Sequence, residues 1–324
     1  MKKFNSVDEQ IEKLKSRNVN ISNEQIARRY LELNNYYNVI NCCARPFLQN
    51  KGNSEMYKDG SNFDEIIAIH KFENAIKQDI LENLLLIEKH LKSTIAHVFS
   101  KYHQEPFSCL DKDSYNFNTC TILDISTLIS LISKKINEQT KQKEPNSVKH
   151  YIRDHKDIPM YVLIDHFTFG NIVSMFKIMK FKERAEIIGT FNKLLSENID
   201  GVVLNISPHN FDTMLANLLS LRNTTAHNSS LFSFSTRANI SYIPALHDKY
   251  RINATSSKQN LYSNLITFAC FLPSNDFKKF YNSILKRSKK LNNKLHTISV
   301  NEIYMKLGFP IGFHTYPNLM QIQQ

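Results

Sequence analysis

Residues 61–105 read SNFDEIIAIHKFENAIKQDILENLLLIEKHLKSTIAHVFSKYHQE, and neither glycine nor proline interrupts the chain between Gly60 and Pro106. Within this stretch Ile69, Phe72, Ile76, Ile80, Leu84, Ile87, Leu91, Ile95 and Phe99 return every three or four residues, which is the period of one helical face. The stretch predicts one helix of about forty residues, or two in line, long enough to cross a whole domain and to carry a dimer seam.

The same periodicity recurs on both sides. Helices are expected at 7–17 and 22–34, the second opened by Ser22 with Gln25 completing a capping box. Others fit 122–138, 160–167, 171–179 and 182–195, with Gly170 as a break before 171. Ser207 and Pro208 make a good start for a helix running to about His227. The serine supplies a cap oxygen, and a proline at the first helical position loses nothing by lacking its N–H. The stripe of that helix is Phe211, Met214, Leu215, Leu218, Leu219 and Leu221. A polar stretch at 237–260 contains a short candidate strand at 240–243. Helices then fit 261–272, 276–295 and 299–307, the last with a Ser299–Glu302 capping box, Gly308 as its stop and Pro310 beyond. Seven glycines and nine prolines in 324 residues supply few of the turns that a sandwich or barrel needs. The expected fold is all-α: a helical domain over residues 1–235, and a basic, mostly helical extension over 236–324 packed on it.

The five cysteines, Cys42, Cys43, Cys109, Cys120 and Cys270, are odd in number and form no CxxC pair. A disulfide framework or structural zinc site is therefore not expected, and a reducing cytoplasm fits. The N-terminus has no apolar run after its lysines, and no stretch of eighteen apolar residues exists, so neither a secretory signal nor a membrane partner is expected. The net charge of +11 is uneven: residues 236–324 hold twelve Lys or Arg against Asp248, Asp276 and Glu302, while residues 1–235 are nearly balanced. Within the basic quarter, Lys278, Lys279, Lys286, Arg287, Lys289, Lys290 and Lys294 share one expected helix with the apolar positions Phe277, Phe280, Tyr281, Ile284 and Leu285. A cationic face beside an apolar stripe suits phosphate contact while the helix packs on the body, so these seven are the expected RNA-binding residues. A merely solvated basic surface is the alternative.

The segment that carries chemistry is Arg222-Asn223-Thr224-Thr225-Ala226-His227. An imidazole can take the proton of a ribose 2′-hydroxyl or protonate a leaving 5′-oxygen. A guanidinium can hold the phosphate and stabilise charge developing on its oxygens. The nucleophile belongs to the RNA, so Arg222 and His227 would need no metal and no other cofactor. Asn223 and His227 share a helix face, whereas Arg222 lies about 140° around from His227. Arg222 must reach around, the helix must loosen at its end, or a second subunit must bring another copy of the segment. Ten arginines and twelve histidines make a chance pair at such spacing expected. The ordinary alternative is a helix C-terminus where Arg and His meet the dipole.

Several further segments occur in a recognisable order: Asn35-Tyr36-Tyr37 then Pro46-Phe47; Phe63 leading into the long helix with Glu88; Ile158-Pro159-Met160-Tyr161-Val162-Leu163 through Phe167-Thr168-Phe169-Gly170; and residues 221–227. With them, residues 7–235 resemble the Abi family of bacterial abortive-infection proteins, of the AbiD/AbiF type. That family looks like a branch of the HEPN superfamily, whose hallmark is an Arg and a His separated by four to six residues. The resemblance implies a HEPN-like helical bundle, metal-independent endoribonuclease activity, a composite site where two motifs meet in a homodimer, and a role in phage defence. It also implies association with a small noncoding RNA, and it gives Arg222, Asn223 and His227 the motif positions. Tyr161 stands where the family usually has Trp, and Asp165 where it often has Glu. Alternatives to a nuclease are a non-cleaving RNA-binding scaffold and a toxin component restrained by RNA.

Three other clusters carry less. His150, Arg153, Asp154, His155 and Asp157 match no metal-ligand spacing. His90 and His97, seven apart on the long helix, read as structural histidines. Residues 34–37 read as a packed turn, with base stacking on tyrosine as the alternative.

Overall fold

The computed structural model describes residues 4–49, 55–118 and 120–320. Its α-helices in chain order are α1 (Val7–Ser16), α2 (Glu24–Leu33), α3 (Phe63–Tyr102), α4 (Ile122–Thr140), α5 (Ser147–His150), α6 (Met160–Leu163), α7 (Phe169–Ile178), α8 (Phe181–Asn198), α9 (Pro208–Ala226), α10 (Pro244–His247), α11 (Leu261–Ile266), α12 (Ser274–Asn292) and α13 (Val300–Leu307). The fold is all-α. Among the described residues the β contacts are two isolated bridges, Asn20 with Asn62 and Leu48 with Tyr57.

The forty residues of α3 form one uninterrupted helix, about 60 Å long at 1.5 Å per residue. Asn62 caps it by accepting the Asp64 N–H at 2.9 Å, and Asp64 and Glu65 stand in the first turn, where carboxylates offset the helix dipole. The expected apolar stripe is buried. Burial also goes further than a stripe: between Phe63 and Ile80 the exposed positions are Asp64, Lys71 and Gln78 alone. The helices α6, α7, α8, α9 and α12 all pack on α3, which makes it the axis of the molecule.

A surrounded helix must satisfy its polar side chains internally. Glu65 accepts the His296 and Thr297 N–H groups at 2.8 and 3.0 Å and the Thr297 hydroxyl at 2.6 Å. Asp79 accepts the Ser283 hydroxyl at 2.8 Å and two guanidinium N–H groups of Arg287 at 2.5 and 2.6 Å. Glu73 accepts the Ser230 hydroxyl at 2.9 Å and the Leu231 N–H at 2.6 Å. Each buried carboxylate of α3 fastens a different downstream segment.

The basic quarter shares the core of the rest. One continuous cluster of buried apolar side chains runs from Ile11 to Phe313. Asn198 at the end of α8 donates to the Ala269 and Leu272 carbonyls, both at 2.9 Å. α13 packs on the 3₁₀ turn Leu231–Ser233.

Local differences from the sequence reading have local causes. α2 is capped by Asn23, whose Oδ1 accepts the Ile26 N–H at 3.0 Å, and not by Ser22. Gly170 lies inside the first turn of α7, because Thr168 and Asn171 close a capping box around it. Ser299 caps α13 through the Asn301 N–H instead of a box with Glu302, whose carboxylate pairs with Lys58 at 3.2 Å. No strand forms at 240–243. Its backbone groups bond to side chains: the Ser241 N–H donates to Asn210 at 2.9 Å, and the Ile243 N–H to His247 Nδ1 at 2.8 Å. Of the polar loop before α3, residues 50–54 lie outside the described residues.

Candidate functional site

Helix α9 positions the candidate site. Ser207 accepts the Asn210 N–H at 3.2 Å and Pro208 takes the first helical position. Phe211, Met214, Leu215, Leu218 and Leu221 are buried, so the helix is held along its length. Asn210 and Asn217 are buried as well, and Asn217 donates to the Ala238 carbonyl at 3.1 Å. In the last turn the Thr224 and Thr225 hydroxyls bond back to the Ser220 and Leu221 carbonyls, at 2.9 and 3.0 Å.

The helix ends at Ala226, and His227 is its capping residue, with its N–H on the Asn223 carbonyl at 3.0 Å. Asn228 then steps into the left-handed region at φ 53°, a conformation asparagine tolerates better than most residues. His227 and Asn223 are exposed, and Arg222 is half-buried. The Arg222 Nη1 lies 3.5 Å from Asn223 Oδ1, and its buried Nε has no partner among the described residues. No hydrogen bond joins Arg222 to His227 among those residues. The helix thus presents at one end an exposed imidazole and a guanidinium that forms no ion pair among the described residues.

What fixes that end lies on α3. Lys77 Nζ donates to Asn228 Oδ1 at 3.1 Å and pairs with Glu73 at 3.4 Å. Glu73 in turn holds Ser230 and the Leu231 N–H. The turn immediately after His227 is therefore clamped between two buried, opposite charges. Cys43 places its thiol 3.8 Å from the other Glu73 oxygen; burial and the neighbouring carboxylate hold that thiol well above its usual pKa. His70, one turn before Glu73, lies 2.7 Å from the Tyr30 hydroxyl. Burial lowers its pKa, and Lys77 adds to the effect against the pull of Glu73. The sequence reading missed Glu73, Lys77 and His70. Their signal was three polar residues spaced three and four apart within a helix, a pattern that an ordinary solvated face also produces.

The expected RNA-binding residues divide. Lys279, Lys286, Lys290 and Lys294 are exposed, and Lys278 and Lys289 are half-buried. Arg287 departs from the set, because its Nε and Nη2 are both committed to Asp79. The basic helix also lies away from residues 222–227. Ala68, Phe72, Ala75 and Asp79 of α3 face α12, whereas Glu73 and Lys77 sit roughly 150° around the helix from them at 100° per residue. The cationic face and the Arg–His end occupy opposite sides of α3.

The remaining clusters resolve individually. Asp154 pairs with His150 and Arg153, and Asp157 accepts the Phe107 and Ile158 N–H groups. Among the described residues no group of three His, Cys, Asp or Glu is placed to hold a metal ion. His90 meets the Phe271 carbonyl at 3.0 Å, a structural contact. His97 is exposed instead, and lines a groove of about 950 Å³ with Glu88, Lys92, Tyr161 and Asp165. Tyr36 and Tyr37 border a smaller groove, with Tyr37 exposed. No described helix is long and apolar enough to cross a membrane.

Fold and site together define an all-α protein whose polar Arg–Asn–His helix end is clamped to a central helix. The family model described as Abi-like protein matches residues 29–233, and the chain belongs to that family. The matched span contains all of α3 and α9 and stops before α10 to α13. No curated protein and no solved structure matches the chain.

Proposed function

We propose that this protein is a metal-independent endoribonuclease of the HEPN type, of the AbiD/AbiF kind, acting in abortive infection. Arg222 binds and stabilises the scissile phosphate, Asn223 assists it, and His227 moves the proton. The 2′-hydroxyl attacks the adjacent phosphorus as its proton leaves, and the 5′-oxygen departs with a proton, giving a 2′,3′-cyclic phosphate and a 5′-hydroxyl. One chain supplies one such histidine, and the reaction needs both a base and an acid. The working unit is accordingly a homodimer with two motifs at a shared cleft. RNA is the substrate, and a small noncoding RNA is the bound partner.

The observation that carries the reading is a helix end, buried along its apolar face, that exposes Asn223 and His227 beside a half-buried Arg222, with the following turn pinned by Glu73 and Lys77. A helix end held this firmly presents its polar groups at fixed positions, which is what acid–base catalysis requires. His227→Ala and Arg222→Ala should each reduce RNA cleavage by about 10²-fold or more, with helical content and unfolding midpoint unchanged. Undiminished cleavage by folded His227→Ala protein would sink the assignment.

A further inference from the structure

Between α3 and α12, away from residues 222–227, lies a groove of about 550 Å³. Its floor is apolar: Ala68, Phe72 and Leu291. Its rim is cationic: Lys71, Lys290 and Lys294, all exposed. Among the described residues neither Lys290 nor Lys294 pairs with a carboxylate, and the Lys71 ammonium sits 5.7 Å from the Tyr30 ring centre. Arg287 lines the groove as a fixed element, because Asp79 holds its Nε and Nη2. Asn293, whose side chain carries an amide, borders the groove too. No Asp or Glu is among the described residues that line it.

We propose that this groove binds a nucleoside phosphate. The volume falls within the range of small-ligand sites and exceeds what a lone phosphate needs. An apolar floor rewards a flat ring system, and clustered ammonium groups reward more than one negative charge. An amide at the edge can donate and accept, as a base edge requires. The same chemistry is presented by a free nucleotide and by the terminal nucleotide of an RNA strand. The proposal does not depend on RNA cleavage at residues 222–227.

The test is titration calorimetry on the full chain at fixed salt, with AMP, ADP, inorganic phosphate and a 5′-phosphorylated pentaribonucleotide as probes. Lys290→Gln/Lys294→Gln should lower affinity for ADP at least tenfold. Arg237→Gln/Lys306→Gln removes the same charge from exposed positions of the basic quarter outside the groove, and should change it less than twofold. Asn293→Trp, which fills the groove without removing charge, should also abolish ADP binding. Tight ADP binding with none for the oligonucleotide identifies a free nucleotide as the source. Binding of both, with ADP displacing the oligonucleotide, identifies the RNA end. Equal losses in the two charge-removing double variants would overturn the proposal in favour of diffuse charge, and so would phosphate binding as tightly as AMP or no binding of any probe. His227→Ala should bind ADP like the parent chain. A failure of the nuclease reading therefore leaves this result standing, and a failure here leaves that one.

Discussion

Glu73 is the residue on which most of the local arrangement at the candidate site converges. It takes Ser230, the Leu231 N–H and Lys77, and it is 3% exposed. A buried carboxylate with this many donors is expensive to remove, since each orphaned partner loses its hydrogen bond away from water. Glu73→Gln keeps the shape and removes the charge. It should cost about 2–3 kcal/mol in urea denaturation, from charge-assisted bonds of ordinary strength, and it should slow RNA cleavage at saturating substrate by loosening the turn after His227. A loss below about 0.5 kcal/mol, within the range of a neutral surface change, would mean the clamp is not what holds that turn. Residues 222–227 were legible because their chemistry is contiguous in sequence. Glu73 and Lys77 were not, because their partners Leu231 and Asn228 lie 158 and 151 residues away, and nothing in the helix marks a polar residue as turned inward.

At the scale of elements, periodicity located the long helices but not the short α5 and α10, and local caps set most ends, as Ser207, Ser299 and the left-handed Gly308 illustrate. It misjudged segments whose backbone is satisfied by distant side chains. Residues 240–243 read as a short candidate strand but are tied to Asn210 of α9 and to His247, whose burial, with Lys258 nearby, lowers its pKa to about 4 and keeps it neutral as an acceptor. α12 shows the same limit. Its apolar stripe was readable, but Arg287 could not be told from the exposed lysines around it. The pairing with Asp79 separates them. Arg287→Gln leaves a carboxylate whose side chain is 11% exposed with Ser283 as its one remaining side-chain partner among the described residues. It should lower stability by about 1–3 kcal/mol, part of the 3–5 typical of a fully buried pair. Lys286→Gln should stay within about 0.5 kcal/mol. Equal effects of the two in denaturant titrations would show that the ion pair contributes no more than surface charge.

On the scale of the whole molecule, α3 organises two surfaces of different character. One carries the Arg–Asn–His terminus and the other the cationic groove. The Abi-like match covers the first and the helices that support it, while the basic quarter supplies one wall of the second through α12 and reaches round through α13 to the turn after the motif. A substrate cut at one surface need not touch the other, so the two are separable by mutation. The proposed composite site requires two chains. Sedimentation should therefore give twice the 37.7 kDa chain mass at the concentrations where cleavage is seen. Full activity from a particle of single mass would rule out the shared cleft.

The central claim is that the end of α9 cuts RNA by acid–base chemistry without a metal. Its most direct test is the product of a single reaction: purified chain and a labelled RNA in excess EDTA, with the ends of the fragments determined by mass spectrometry. The account predicts fragments ending in a 2′,3′-cyclic phosphate with 5′-hydroxyl partners, present with the parent chain and absent with His227→Ala. Fragments that disappear in EDTA and return with one divalent ion, or that carry 5′-phosphates, would contradict it.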